Sequence, residues 1–472
     1  MIADLKSYPA MKDSGVPWLG EVPEHWKIVP GRACYREKKV PNLASREATV
    51  LSLSYGQIVV KPAEKLHGLV PASFETYQIV DPGDIVIRPT DLQNDWNSLR
   101  FGLSQQRGII TSAYMCFDTK DSLDRNYGYV LLHAYDLKKV FYGLGSGLRQ
   151  NLNWNDFKYL PCLMPSKDEQ STIVRFLDHT DRRIRRYMRA KQKIIKLLEE
   201  QKQAIIHHAV TRGLDPNVRL RPSGVEWLRD VPQHWEVRRN GQLFAQRNQT
   251  GFAELPILEV SLKTGVRVRD FENSIRKQIM SDRAKYKVAH KGDIAYNMMR
   301  MWQGAVGIAP VDGLVSPAYV IARPLAGVEV RYFNNLFRTA SYMSEVDNCS
   351  RGIVKDRNRL YWEDFKQIYS PYPPVGEQTQ IADAIEESTQ GLNCAIDQME
   401  REIALLREYR TRLIGDVVTG KLDVREAVAN LPEEVAEPEA LEEAEELDDS
   451  ATGEEIEVDE AIETEEAAEV SE

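Results

Sequence analysis

The stretch from Lys167 to Trp235 decides the fold: KDEQSTIVRFLDHTDRRIRRYMRAKQKIIKLLEEQKQAIIHHAVTRGLDPNVRLRPSGVEWLRDVPQHW. Ile173, Leu177, Thr180, Ile184, Tyr187, Lys191, Ile194, Leu198, Gln201 and Ile205 recur in steps of four and three, which only a helix brings to one side. No Gly or Pro interrupts the run from Glu169 to about Thr211, and Gly213 and Pro216 follow it. This predicts a single helix of roughly 60 Å at 1.5 Å per residue. A stripe that long needs a partner.

The partner lies in the same chain. GEQTQIADAIEESTQGLNCAIDQMEREIALLREYRTRLIGDVVTGKLD, from Gly376, carries a seven-residue row at Ile385, Leu392, Met399, Leu406 and Leu413. Pro165, Glu169, Gln170 and Ile173 match Pro373, Glu377, Gln378 and Ile381, and Thr211, Leu214 and Asp215 match Thr419, Leu422 and Asp423. Two such helices seal each other's stripes as an intramolecular coiled coil.

The repeat extends beyond the helices. SGVPWLGEVPEHW (14–26) returns as SGVEWLRDVPQHW (223–235), Gly83-Asp84-Ile85 as Gly292-Asp293-Ile294, and Trp154, Asp156, Phe157 and Lys158 as Trp362, Asp364, Phe365 and Lys366. One unit, a globular module followed by a long helix, is used twice, and its period of about 208 residues is too long for a solenoid.

The tandem SGVxWLxxVPxHW openings, the P-x-x-x-E-Q-x-x-I helix starts and the VTxxLD exits resemble the specificity subunit of type I restriction-modification systems, over nearly everything from residue 10 to 428. The resemblance implies a target-recognition domain at 1–166, a central helix at 167–215, a second recognition domain at 216–374 and a distal helix at 375–428, the two helices pairing as an antiparallel coiled coil; the residue pattern itself reads as an α+β chain with an acidic disordered tail at 429–472. It also implies double-stranded DNA as ligand, read as a bipartite site. Adenine methylation and cleavage would belong to partner methyltransferase and restriction/translocase subunits, which would bind S-adenosylmethionine, ATP and Mg.

Composition agrees with a cytoplasmic globular chain: 42% hydrophobic residues, no long apolar run and no signal-like N-terminus. Five cysteines without C-x-x-C spacing read as buried thiols, with no metal site. The net charge of −10 conceals an asymmetry. Residues 432–472 hold 20 of the 71 acids and no Lys or Arg, so the rest has 51 acids against 61 bases, a body of +10 with an acidic tail. That tail is either a solubilising appendage or a tethered competitor of DNA phosphates.

Within the modules, ATVLSLSYGQIVV, ETYQIVDPGDIVIRPT and GIITSAYMCF read as strands and YVLLHAYDLKKVFYG as helix; the second module follows the same order. The Gly-Asp-Ile repeats mark a turn into a central strand, and the repeated tryptophans pack each module's start against a helix. Base reading needs polar side chains and phosphate binding needs cations. In the first module these collect at Arg88, Gln93, Asn94, Asn97, Arg100, Gln105, Gln106 and Arg107, and in the second at Lys263, Arg267, Arg269, Arg276, Lys277, Asn297, Arg300 and Gln303. Arg149 and Arg357 align in the loops before each long helix, as phosphate contacts or as partners of an acid at the helix base. The run RRIRRYMRAKQK (182–193) either touches DNA or forms a solvated helix face.

An [ND]-P-P-[FY] methyltransferase loop and a G-x-x-x-x-G-K-[ST] phosphate loop are both missing, and the D-x-K triplets at Asp156 and Asp364 fall in the repeated frame. The chain is therefore expected to have no catalytic residue. The competing reading is a stand-alone coiled-coil DNA-binding regulator or scaffold.

Overall fold

The computed structural model describes residues 5–54, 56–62, 74–96, 98–144, 150–269, 283–352, 358–429 and 431–432. Two long helices, Lys167–Arg212 and Val375–Val418, start where expected but stop short of 215 and 428, the second by ten residues, with a separate short helix at Arg425–Ala429. Gly213 and Gly420, with φ of 79° and 74°, follow them in the left-handed conformation that a residue with a Cβ resists. The chain forms two compact units, one from Met1–Thr180 with the chain from Thr411 onward, the other from Asp181–Arg410. Each long helix therefore contributes to both.

In the first unit, a four-stranded antiparallel sheet runs in the order Tyr35–Lys38, Met115–Thr119, Ile85–Ile87, Phe101–Leu103. The helix Arg125–Leu137 covers it, started by the Asp124 carboxylate accepting from Tyr127 N. The same core takes in Ile173, Phe176 and Leu177 from the start of one long helix and Leu413, Val417 and Val418 from the end of the other.

The second unit repeats the plan, with Phe244–Arg247, Tyr319–Pro324, Ile294–Asn297 and Val306–Ile308 in the same order. The helices Val330–Phe337 and Ala340–Cys349 cover its core, with Ile206, Ala209 and Val210 joined by Ile381 and Ile385. The apolar runs are strands, as expected, but several fold into two. The segment 48–60 becomes the hairpin Leu51–Ser54 with Gln57–Val60, and the Asp81-Pro82-Gly83-Asp84 turn splits the next run into Gln78–Val80 and Ile85–Ile87.

Within the second unit the helices pair antiparallel: Asp181 bonds to Arg410, Lys191 to Glu402, and Lys202 to Asn393 at 2.6 Å. Of the row, Ile385 is buried and Leu392, Met399 and Leu406 are half-buried on the seam, interleaved with the buried Thr389, Ile396 and Ile403, and Leu413 is buried in the first unit. Ile173, Leu177, Thr180 and Ile184 are also buried, and Leu198 and Ile205 are half-buried.

Beyond Ile184 the expected row needs correction, because Tyr187 is 55% and Ile194 42% exposed. Met188, Ile195 and Lys202 take the seam positions assigned to Tyr187, Ile194 and Gln201. Consecutive steps of four, Thr180 to Ile184 to Met188, shift the phase, since a straight helix drifts about 20° per heptad against a strict 3.5-residue repeat. Neighbouring apolar pairs such as Ile194 and Ile195 leave that choice open in the sequence.

All five cysteines are free thiols. Cys34, Cys116 and Cys162 are buried as expected; Cys394 is exposed and Cys349 partly so, which corrects the expectation for those two.

Candidate nucleic-acid interface

Each module is fastened to its helix start by the Glu-Gln pair of the repeated motif. Glu169 accepts from Tyr8 Oη at 2.8 Å and pairs with His25 Nε2 at 3.0 Å, while Glu377 accepts from Trp235 Nε1 at 3.0 Å and pairs with His234 Nε2 at 2.8 Å. Gln170 Oε1 accepts from Asp124 N at 2.8 Å, and its Nε2 donates to Pro165 O and Ser122 O. Gln378 does the same with Glu329 N, Pro373 O and Gly327 O. The VPxHW tryptophans complete the join, as expected: Trp26 and Trp235 are essentially buried, against Gly420 and Gly213 respectively. Burying such a ring is worth about 5 kcal/mol at most, from roughly 200 Å² at 25 cal/mol/Å².

The Gly-Asp-Ile turns are structural. Gly83 and Gly292 share a φ of 91°, and the buried carboxylates after them cap their turns, Asp84 accepting from Asp81 N and Asp293 from His290 N. A cation from the end of the sheet's first strand neutralises each, Lys38 for Asp84 and Arg247 for Asp293. Burial still pushes the Asp84 carboxyl above its ordinary range. The D-x-K acids are also structural: Asp156 completes a capping box with Asn153, and Asp364 pairs with Arg351.

The polar clusters divide into display and support. Gln93 and Asn94 are exposed in the loop after the central strand, and Gln105, Gln106 and Arg107 at the next turn. Arg88, half-buried, reaches Asp95 at 3.4 Å. Arg100 is fully buried, which corrects its assignment as a DNA contact. Its guanidinium donates to Thr90 O and Asp95 O at 2.7 Å, Asp91 O at 3.2 Å, Arg88 O at 3.3 Å and Tyr142 Oη at 3.2 Å. A buried guanidinium must have its N–H groups met, and here one loop's carbonyls meet them. Asn297 is corrected likewise: it is buried, with Oδ1 accepting from Met299 N at 2.9 Å.

Lys263, Arg267 and Gln303 are exposed, and Arg269 and Arg300 half-buried. Arg107 bonds Asp81, Lys263 bonds Glu400 and Arg267 bonds Glu259. Such surface pairs are worth about 1 kcal/mol or less, so a phosphate can replace the carboxylate at little cost. In the basic helix run, Arg185 and Lys191 bond Asp181 and Glu402, while Arg186 and Lys193 face solvent. Asn97, Arg149, Arg276, Lys277 and Arg357 lie outside the described residues.

Sequence reasoning missed Trp96 and Trp302, which occupy equivalent loops. Each indole Nε1 donates to the carbonyl three residues back, Gln93 O at 3.2 Å and Met299 O at 2.9 Å. Reading DLQNDW against NMMRMW with a three-residue gap after the Gly-Asp-Ile strand would have found them.

This arrangement is that of a two-module display scaffold carried on a helix pair. Comparison with solved structures finds the same fold, at a TM-score of 0.58 and 14% identity over 85% of this chain and 99% of the other, in a chain from a structure describing complex assembly and conformational transition of the type I R-M system. The HsdS subunit from Thermoanaerobacter tengcongensis matches at 0.41 and 13% identity, covering 87% and 100%, and the type I restriction-modification S subunit from M. genitalium at 0.33 and 14%, covering 83% and 96%. No family model and no curated protein sequence matches the chain. Among the described residues no group of three His, Cys, Asp or Glu could hold a metal ion, and no helix is long and apolar enough to cross a membrane.

Proposed function

We propose that the chain is the non-catalytic specificity subunit of a type I restriction-modification complex in the cytoplasm, binding double-stranded DNA at a bipartite site through its two modules. Methyltransferase and restriction/translocase subunits would then supply adenine methylation and cleavage, with S-adenosylmethionine, ATP and Mg on those partners. One observation carries the reading: the scaffold is repeated and the display is not. The same sheet order, Gly-Asp turn and Glu-Gln fastening present Gln93 and Asn94 in one module and Met299 and Arg300 at the matching places in the other. Two equal platforms with unlike side chains suit two unlike half-sites, since base edges distinguish sequence by their donor and acceptor pattern.

The test is to replace residues 27–160 with the corresponding module of a related chain and map methylated adenines across the genome. One half of the methylated motif should change and the other persist. Change in both halves, or methylation independent of this chain, would refute the reading and favour a regulator or scaffold.

A further inference from the structure

We infer that Trp96 and Trp302 are a matched pair of DNA-stacking residues that grip each half-site irrespective of its sequence, leaving discrimination to the residues beside them. The inference rests on the DNA-binding reading above and adds a division of labour to it.

Trp96 is 53% exposed and lies on Tyr142, with ring centroids 4.4 Å apart and planes 28° apart. Tyr142 is itself buried, donates from its hydroxyl to Asp95 O at 2.9 Å, and has the Arg100 guanidinium 5.3 Å and the Lys139 ammonium 4.9 Å from its ring centroid. Lys139 also donates to Trp96 O. The loop's carbonyls turn inward to buried Arg100, so its side chains are displayed on a fixed base. Because the indole N–H is met within the loop, the surface left to solvent is the apolar, polarisable part of the ring.

The second module reaches a similar display by different means. Asn297 replaces Arg100 as the buried support, a short 3-10 turn Met301–Gln303 shapes the loop, and Gly304 at φ 92° closes it. Trp302 is half-buried there, with part of its ring packed against the module's core and the rest open to solvent. In both modules one backbone bond of 2.8 Å ties the loop to the segment before the long helix, Leu152 N to Pro89 O and Leu360 N to Met298 O. Two unlike supports thus each hold an indole in the loop after the Gly-Asp-Ile strand, its N–H tied to the carbonyl three residues back, while Gln93 and Asn94 give way to Met299 and Arg300. A ring common to both modules cannot tell their half-sites apart. Every base has a π-face, so stacking or wedging by an indole supplies affinity with little sequence preference.

The experiment uses the full chain assembled with its methyltransferase subunits, comparing wild type with Trp96→Ala, Trp96→Phe and Trp302→Ala. Binding is measured on a labelled duplex carrying the methylated motif and on a scrambled duplex, alongside thermal melting and genome-wide methylation mapping. Trp96→Ala and Trp302→Ala should each weaken binding to both duplexes by about tenfold with the methylated motif unchanged, Trp96→Ala should leave melting unchanged, and Trp96→Phe should recover most of the loss. Alanine variants that bind within about twofold of wild type would overturn the inference alone, as would an altered base preference. If Trp96→Ala lowers the melting temperature, the series decides: binding that rises and falls with melting across Trp96→Ala, Trp96→Phe and Trp302→Ala marks purely structural rings and overturns the inference. Wild type that binds neither duplex would overturn the DNA-binding reading itself.

Discussion

Gln170 shows how one side chain joins three parts of the chain, since its amide meets the first N–H of the module's main helix and carbonyls on both sides. Gln170→Leu, of similar volume, leaves those buried groups unpaired and should cost about 3 kcal/mol, read from urea unfolding of the purified chain. Asp136 gives a pH signature. Burial pushes its carboxyl up to about 6, against the lowering effect of the Arg100 N–H bonded to it. A carboxyl raised on folding stabilises the native state below its unfolded pKa, and that contribution is lost as pH rises through the folded value. The loss falls between about pH 4 and pH 6 and amounts to roughly 3 kcal/mol. Asp136→Asn lacks it, so its stability relative to wild type should improve by about that amount from pH 4 to pH 7. A constant difference across unfolding curves at the two pH values would show Asp136 titrating normally.

At the scale of elements, the polar seam of the helix pair selects one alignment. Burial would push the Asp181 carboxyl up, but Arg410 and Arg185 hold it below the ordinary range, so it stays charged between its two guanidiniums. An apolar seam of Ile and Leu tolerates sliding by a heptad, whereas a slid Asp181 keeps Arg185 of its own helix but loses Arg410. The phase shift after Ile184 is directly testable. Met188→Asp and Ile195→Asp place a carboxylate in the seam and should each cost 2 kcal/mol or more, while Tyr187→Asp and Ile194→Asp, one residue away, should stay within about 0.5 kcal/mol. Thermal melting of the four variants separates the two phases, and the reverse order would restore the unshifted row.

For the molecule as a whole, the first unit is built from both ends of the chain. Val424 and Val428 lie in its core, and Lys6 bridges to Asp423 where the other half has covalent continuity. Ending the chain after Val418 should therefore unfold the first module, seen as lost protection in hydrogen exchange over 27–160, and leave the second protected. Ending it after Pro432 removes only the acidic segment outside the described residues. That truncation should leave melting unchanged and tighten non-specific DNA binding at low salt, the gain fading as salt screens both interactions. Equal affinity across a salt series would make the segment a solubiliser.

The sequence by itself determined the duplication, the two long helices, that they partner each other, and the structural role of the Gly-Asp turns. Each leaves a periodic or repeated mark that local chemistry interprets directly. Tertiary structure decided which of Ile194 and Ile195 enters the seam, because both are equally apolar and only the path of the partner helix chooses. It also decided that Arg100 and Asn297 are supports. An arginine among glutamines and asparagines reads as surface until the carbonyls of its own loop are seen to close around it. The shared tryptophans escaped for the converse reason: their spacing differs by three residues between modules, and the common N–H bond to the carbonyl three residues back is visible only in the fold.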